Sequence, residues 1–245
     1  GVAIPNGRIA TLDHARAAFV RRAQPLPVEA ADAGPVDLVA ALVVPLHYTD
    51  QHLHLLAELA ARTAELQQRL GRPLSLVAEH AFNQLRPVTP LGDMTPSGEA
   101  GLGMTAQWAD DVHHALHSFF SRETQGYYVD FGPAEVLAKA LTRVFVHDGG
   151  LSTYRDTTWG APVDPQSPHY DGHSFVAFLQ NHDQVGNRAL GDRFAAHAAP
   201  DLQAAAAALY LLGPFTPMLF MGEEWAASTP FPYFSHLGPD LGPYA

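Results

Sequence analysis

The sequence predicts an α/β fold in which a parallel sheet is covered by helices. Short apolar runs alternate with helical patterns along the chain, and four of these runs end directly in polar residues. Nearly continuous apolar strands are typical of parallel sheets, because both faces of such a sheet are buried. Polar residues that follow strands and never precede them are typical of barrel enzymes, whose sites form at the C-terminal ends of the strands. A doubly wound sheet is less favoured, because no Gly-rich first turn with G-x-G-x-x-G spacing occurs.

The first predicted elements are a long helix and a short strand. Between residues 51 and 70, Leu and Ala recur at helical spacing with Glu, Gln and Arg between them, and Gly71 ends the helix. Pro73 then introduces the apolar run LSLVA, which ends in Glu79 and His80. A loop with several Gly and Pro residues, 87–103, separates this strand from the next.

The second strand and its helices follow the same pattern. The run MTAQW ends just before Asp110 and Asp111, and VHHALHSFF continues as a helix. A further helix is predicted around VLAKALTRVF. The irregular stretch 147–172 is too long to be a simple connection, so we expect it to have a role of its own.

The last two strands also lead into polar groups. The run FVAFL passes directly into Gln180, Asn181, His182 and Asp183. The segment DLQAAAAALYLL is a predicted helix that ends at Gly213, and MLFMG then precedes Glu223 and Glu224. The strand and helix order is therefore alternating throughout.

Composition limits the classes of partner. The 245 residues include 25 acidic and 14 basic side chains, and the formal net charge of −11 repels nucleic acid and anionic membrane surfaces. We therefore predict neither a nucleic-acid partner nor membrane association. Cysteine is absent, which excludes disulfides and thiolate metal sites, and no secretory leader or membrane-length apolar run is present. These features favour a cytoplasmic protein.

Four motifs carry a resemblance to a known family. In order along the chain they are LVAEH, AQWADDVHHALH, FLQNHDQVGN and LFMGEEW. With them the chain resembles glycoside hydrolase family 13, the α-amylase superfamily, which implies a (β/α)8 TIM-barrel type. Because such a barrel takes about 250 residues, we expect an incomplete one, covering roughly strands 4 to 8. Residues 53–245 would form the second half of the catalytic barrel, and 1–52 match poorly.

The resemblance also implies roles for individual residues. Glu79 matches the family's general acid/base, and Asp183 matches the carboxylate that stabilises the transition state. The implied sugar contacts are His182, Asn181, Gln107, Trp108, Asp110 and Asp111. Acetal cleavage needs a proton donor at the leaving oxygen and negative charge near the developing oxocarbenium ion. We expect burial to raise the pKa of Glu79, while Asp183 stays ionised among amides and Arg188.

The resemblance implies a substrate class and no cofactor. Within the family, the stretches around AQWADDVHHALH, FLQNHDQVGN and LFMGEEW resemble members that act on maltooligosyltrehalose or related α-glucan oligosaccharides. These members release trehalose. No cofactor and no metal are assigned. A missing N-terminal half of the barrel is a further expected partner, and poor independent folding is expected because an unclosed barrel leaves strand edges unpaired.

The nucleophile of a retaining glycosidase is not found where the resemblance places it. The fourth-strand pattern of the family aligns with residues 36–45, which puts Leu42 at the nucleophilic aspartate, Ala40 at an arginine and Pro45 at a histidine. Loss of the nucleophile removes the covalent route, so we expect impaired hydrolysis.

Other interpretations remain open for the same residues. A noncatalytic maltooligosaccharide-binding pseudoenzyme and a truncated α-amylase-like protein are alternatives. A metal-dependent hydrolase is a third, because His113 and His117 are four residues apart on a helix, although surface or sugar-contacting histidines are favoured. Glu79 could cap a helix, Glu223 and Glu224 are expected to be structural, and Asp192 with Arg193 to form a surface pair.

Overall fold

The computed structural model describes residues 16–26, 36–43, 50–80, 82–168 and 170–232. Two compact units divide the chain, Gly1–Leu56 and Ala57–Ala245. The strands are β1 (Arg16–Leu26), β2 (Val36–Val43), β3 (Val77–Ala78), β4 (Ala106–Trp108), β5 (Leu151–Ser152), β6 (Thr157–Thr158), β7 (Phe175–Ala177) and β8 (Thr216–Pro217). The α-helices are α1 (Asp50–Leu70), α2 (Asp110–Ser121), α3 (Ala134–Arg143), α4 (His182–Gly186) and α5 (Pro200–Leu211).

A four-stranded parallel sheet organises the second unit. Its strand order is β3-β4-β7-β8, and every neighbouring pair is parallel. Helices α2 and α3 connect β4 to β7, and α4 and α5 connect β7 to β8. Within the described residues the four strands form an open sheet and not a closed barrel. The prediction of an α/β fold with a parallel sheet and a partial barrel is confirmed.

The first unit contains an antiparallel pair. Strands β1 and β2 pair with Ala17 opposite Leu42. The segment that aligns with the family's fourth strand is therefore paired antiparallel to β1 and is not one of the strands of the parallel sheet. Leu42 therefore does not lie on a strand that pairs with β3 among the described residues.

Local details differ from the sequence predictions at three places. Strand β8 precedes the predicted run MLFMG, whose first amide, Met218 N, still donates to Ala177 O at 2.8 Å. The short helix α4 follows β7 directly and was not predicted. The stretch 147–172 contains the antiparallel pair of β5 and β6. None of the helices within the described ranges combines the length and hydropathy needed to cross a bilayer.

The core lies between the sheet and the helices that cover it. Phe175 on β7 is completely buried and meets Phe145 and Phe215 edge-on, with ring centroids 5.7 and 6.4 Å apart. Ala109, Val112 and Leu116 are buried where α2 packs on the sheet. Packing on both sides of β7 explains why FVAFL reads as an unbroken apolar run.

Truncating the central aromatic of this core tests the packing. Phe175→Ala removes a fully buried ring, and we expect it to lower the free energy of unfolding by about 3–5 kcal/mol because of lost burial and the residual cavity. Urea denaturation followed by circular dichroism measures the change. Phe175→Leu, which keeps most of the volume, should cost less.

Leu190→Ala is the matched control, since Leu190 is 77% exposed and its truncation should change stability by less than about 0.5 kcal/mol. Equal effects of the substitutions at 175 and 190 would contradict the described core.

Candidate active site

Four carboxylates gather at the C-terminal ends of neighbouring parallel strands. Glu79 directly follows β3, Asp110 and Asp111 begin α2 just after β4, and Asp183 lies in α4 just after β7. The negative charges act on one another: Glu79, Asp111 and Asp183 all help to raise the pKa of Asp110. The charge of Asp183 likewise helps to raise the pKa of Glu79. We call Glu79, Asp110, Asp111 and Asp183 the carboxylate cluster.

Glu79 keeps contact with solvent, but its carboxyl group is partly desolvated. Burial is the largest cause that raises the pKa of Glu79, followed by the charge of Asp183, and His182 opposes both. The raised pKa agrees with the expectation from the sequence. Next to it, His80 is kept neutral: burial, and then the charge of Arg86, lowers the pKa of His80 to about 4.

Asp183 is positioned by the first turn of α4. Asn181 is the N-cap of this helix, and its Oδ1 accepts a hydrogen bond from Gln184 N at 2.7 Å. Asn187 donates to the Asp183 carboxylate and also to the Asp183 carbonyl oxygen. The amide environment expected for Asp183 is therefore present. Arg188 makes its hydrogen bonds elsewhere, as described below.

Asp110 is an unusually weak acid for an aspartate. It is half-buried at the start of α2. Burial raises the pKa of Asp110 to about 7, with further increases from Asp111, Glu79 and Asp183, while Arg155 opposes them. Asp110 thus holds its proton close to neutral pH beside Glu79. The sequence pattern marked Asp110 as a sugar contact but gave no sign of this acidity.

Asp111 is a buried anchor of the loop that follows α3. Its Oδ2 accepts hydrogen bonds from Asn83 Nδ2 at 2.7 Å, Val146 N at 2.7 Å and His147 N at 3.0 Å. Asn83 also donates to His147 O at 3.0 Å. The bonds to Val146 and His147 fasten this loop to the N-terminus of α2. A structural role for Asp111 fits these contacts better than the sugar contact expected from the sequence.

Gln107 and Trp108 differ in their access to solvent. Gln107 is 1% exposed, and its Nε2 donates to Gln84 O at 3.0 Å. Trp108 is half-buried and packs edge-on against Phe178, with centroids 5.2 Å apart. Of the expected sugar contacts, Trp108, Asp110 and His182 retain exposure, whereas Gln107, Asp111 and Asn181 are buried.

The histidines of α2 are buried, so of the two roles expected for His113 and His117 the surface position was wrong, and sugar contact stays a prediction. His113 Nδ1 donates to Leu179 O at 2.8 Å, which leaves Nε2 to accept from the Tyr128 hydroxyl at 3.0 Å. His117 donates to Glu123. Burial lowers the pKa of both histidines. Among the residues that the structure describes, no group of three or more His, Cys, Asp or Glu side chains could hold a metal ion.

An ion-pair network around Arg188 lies directly after the end of α4. Arg188 binds Glu123 with both terminal nitrogens, at 2.8 and 3.0 Å, and Asp192 through Nε at 2.9 Å. The hydrogen bond from His117, followed by that from Arg188, lowers the pKa of Glu123. The sequence predicted a surface pair of Asp192 and Arg193, and this prediction was wrong. Arg193 is buried and donates to Thr229 O and Met221 O.

The structure adds residues that sequence motifs did not indicate. Trp159 stacks on Phe82 with centroids 4.9 Å apart, and the Arg155 guanidinium lies 4.3 Å above the Trp159 ring. Arg155 is near enough to Asp110 to lower its pKa against the other causes. Only the unusual length of the stretch 147–172 hinted at these side chains. Glu223, as expected, is structural: it accepts from Tyr210 Oη and Phe220 N.

Comparison with known proteins gives relatives but no matching family model. A malto-oligosyltrehalose trehalohydrolase from Arthrobacter ramosus is 52% identical over 191 residues, which are 78% of this chain and 32% of that enzyme. Relatives of the same name, including one from Mycobacterium tuberculosis at 45% identity, span similar shares. The chain therefore spans about a third of the length of these curated relatives.

Two further comparisons concern a solved structure and a shorter stretch of the chain. A crystal structure from Salmonella typhimurium, assigned as an alpha amylase, is 38% identical with a TM-score of 0.66, over 79% of this chain and 32% of that one. A 67-residue stretch, 26% of this chain, is 43% identical to a nitrogen regulatory protein of Klebsiella oxytoca, 41% of which is covered.

These similarities agree with the fold and with the motifs around the carboxylate cluster. Over about four fifths of its length, the chain is a homologue of the malto-oligosyltrehalose trehalohydrolases and corresponds to about a third of such an enzyme.

Proposed function

We propose that the chain forms the acid/base part of a glycoside hydrolase site. Its substrate would be an α-1,4-linked glucan that ends in trehalose, and the product would be trehalose. The observation that carries the proposal is that the charge of Asp183 helps to raise the pKa of Glu79, while both residues follow parallel strands of one sheet. The names of the relatives support the same class of substrate.

Acetal cleavage requires a proton donor and a negatively charged group, and we assign these two roles to Glu79 and Asp183. A raised pKa favours the protonated form of Glu79, which would donate its proton to the leaving glycosidic oxygen. An ionised Asp183 would stabilise the positive charge that develops on the sugar ring. His182 and Trp108 would contact the sugar. We expect a cytoplasmic protein, since the substrate class is metabolic and cysteine is absent.

The covalent step needs a third carboxylate that this chain does not supply at the aligned position. Leu42 stands there, in β2, which pairs antiparallel with β1. We therefore propose that the chain binds the glucan and assists the leaving group, while hydrolysis is strongly impaired. The rest of a relative's barrel, as a partner, would restore the missing group.

Two alternatives have specific support. Leucine at the nucleophile position favours a noncatalytic maltooligosaccharide-binding pseudoenzyme. The similarity to the Salmonella typhimurium structure favours an α-amylase-like protein. Formation of a glycosyl product on addition of a small anion would argue against the first, and release of glucose or maltose in place of trehalose would favour the second.

Binding of maltotriose across a pH series tests the role of Glu79. We expect affinity to fall as the pH rises through the raised pKa of Glu79, because the ionised carboxylate no longer donates a hydrogen bond to the sugar. Glu79→Gln keeps a donor at every pH, so its affinity should vary less. Isothermal titration calorimetry measures both.

Glu58→Gln, at an exposed position of α1, is the matched control and should follow the parent protein. An identical pH dependence in the parent and in Glu79→Gln would contradict the assignment of Glu79.

Release of trehalose from maltooligosyltrehalose tests the impaired step. We expect turnover at the limit of detection in buffer and at least about a tenfold increase in molar sodium formate, because a small anion can take the place of a missing nucleophile. Chromatography of released trehalose provides the measurement. The increase should disappear in Glu79→Gln. Fast hydrolysis without formate would show that another group acts as nucleophile.

The pH dependence of stability tests the acidity of Asp110. From about pH 4 up to its folded pKa of about 7, the unfolded chain ionises Asp110 while the folded protein keeps it protonated. The folded protein therefore loses stability from this group as the pH rises through that window. Relative to the parent, Asp110→Asn should gain on the order of 2 kcal/mol between about pH 5 and pH 7.

Urea denaturation at several pH values measures the difference, and comparison within each pH cancels the opposing contribution of the buried histidines. The control is Asp156→Asn, an exposed position with a left-handed backbone that Asn tolerates. A constant difference between Asp110→Asn and the parent would contradict the raised pKa.

A further inference from the structure

A cavity that none of the four carboxylates of the cluster lines lies after the end of β7. Its volume is about 230 Å³, and it lies between the segment after β7, the first half of α5 and the segment 223–227. Gln180, which lines it, is three residues before Asp183. We call it the outer cleft, and its principal lining residues are Gln180, Gln203, Ala204, Glu224 and Trp225.

The outer cleft combines an exposed aromatic ring with small alanine side chains. Trp225 is 72% exposed, an unusual degree for the largest apolar side chain. The part of α5 that faces the cleft carries Ala204 and Ala207, whose small side chains leave the space open. The volume has room for several water molecules. A flat ligand with both apolar and hydroxyl surfaces could displace them and lie against the indole.

The polar groups of the outer cleft keep hydrogen-bond donors and acceptors that their contacts within the protein do not use. Gln180 Oε1 accepts from Phe194 N at 2.8 Å, so its NH2 group is what Gln180 can offer. Gln203 Nε2 donates to Ala198 O at 2.7 Å, so its amide oxygen can accept. Glu224 Oε2 accepts from Gly222 N at 2.9 Å, which leaves Oε1. The cleft thus offers both donors and acceptors.

This combination selects a class of ligand. The carboxylates of Glu223 and Glu224 disfavour anions such as phosphates. The mixture of amides and carboxylates disfavours a lipid chain. The size of the cleft is too small for a folded partner. A neutral polyhydroxylated ring satisfies both the amide donors and the carboxylate acceptors.

We propose that the outer cleft is a second sugar-binding site, which holds one pyranose ring of a neutral glucan against Trp225. The inference rests on the cavity and its lining, and it does not require Glu79 to act as an acid. A site of this kind would hold a glucan chain on the protein independently of the carboxylate cluster.

The three tryptophans of the chain allow each site to be observed separately. In the double variant Trp108→Phe/Trp159→Phe, only Trp225 fluoresces. In Trp159→Phe/Trp225→Phe, only Trp108 fluoresces, beside the carboxylate cluster. Each protein is titrated with maltotriose, and fluorescence is recorded. We expect a saturable change of Trp225 emission.

A filling substitution locates the effect. Ala204→Phe places a ring in the outer cleft and should weaken the Trp225 response at least tenfold. Ala205→Phe is the matched control, because Ala205 is exposed on the same helix and does not line the cleft. It should leave the response unchanged. Thermal unfolding of each variant checks that the fold is retained.

The outcomes separate this inference from the proposed function. No saturable change of Trp225 emission, or equal losses in the two alanine variants, would overturn the outer cleft whatever Trp108 reports. A response of Trp225 without one of Trp108 would support the outer cleft and count against sugar binding at the carboxylate cluster.

Discussion

Electrostatic repulsion among carboxylates at one edge of a parallel sheet is the constraint on which the site depends. Parallel strands bring their C-terminal ends to the same edge, so residues that follow β3, β4 and β7 are necessarily neighbours. Three of the residues there are Glu79, Asp110 and Asp183. Burial, and then the repulsion among these carboxylates, favours the protonated form of Glu79 and Asp110. The raised pKa of both groups thus follows from their burial and from the strand geometry that brings the charges close, and not from any single contact.

The surrounding structure offsets the cost of holding this charge. Asp111 is the member of the cluster that is fully satisfied, by one side-chain and two backbone donors. Arg188 and Glu123 form a bidentate pair behind α4, which holds the helix that carries Asp183. Such pairs within a partly buried network restrict the position of a helix more than surface pairs do. The cluster is therefore held by contacts that lie away from the acids themselves.

The sequence predicted well where the strands end, because a short apolar run followed directly by polar residues is a local signal. It therefore predicted that Glu79 and Asp183 follow parallel strands of one sheet, but it did not show that β4 lies between those strands. It did not predict the burial of His113 and His117, since burial depends on packing of α2 against Tyr128 and the strand ends. The acidity of Asp110 could not be predicted either, because it arises from charges on three separate segments. The position of β8 was missed by two residues, within the usual uncertainty of element boundaries.

The ionisation of Glu79 tests the central claim most directly. Carbon-13 NMR of the labelled side-chain carboxyl, titrated in the parent protein and in Asp183→Asn, reports the pKa of Glu79 with and without its neighbour's charge. The account predicts a pKa for Glu79 above the ordinary glutamate value in the parent protein and a lower one in the variant. An ordinary pKa that does not respond to removal of the Asp183 charge would show that the two carboxylates do not share a site.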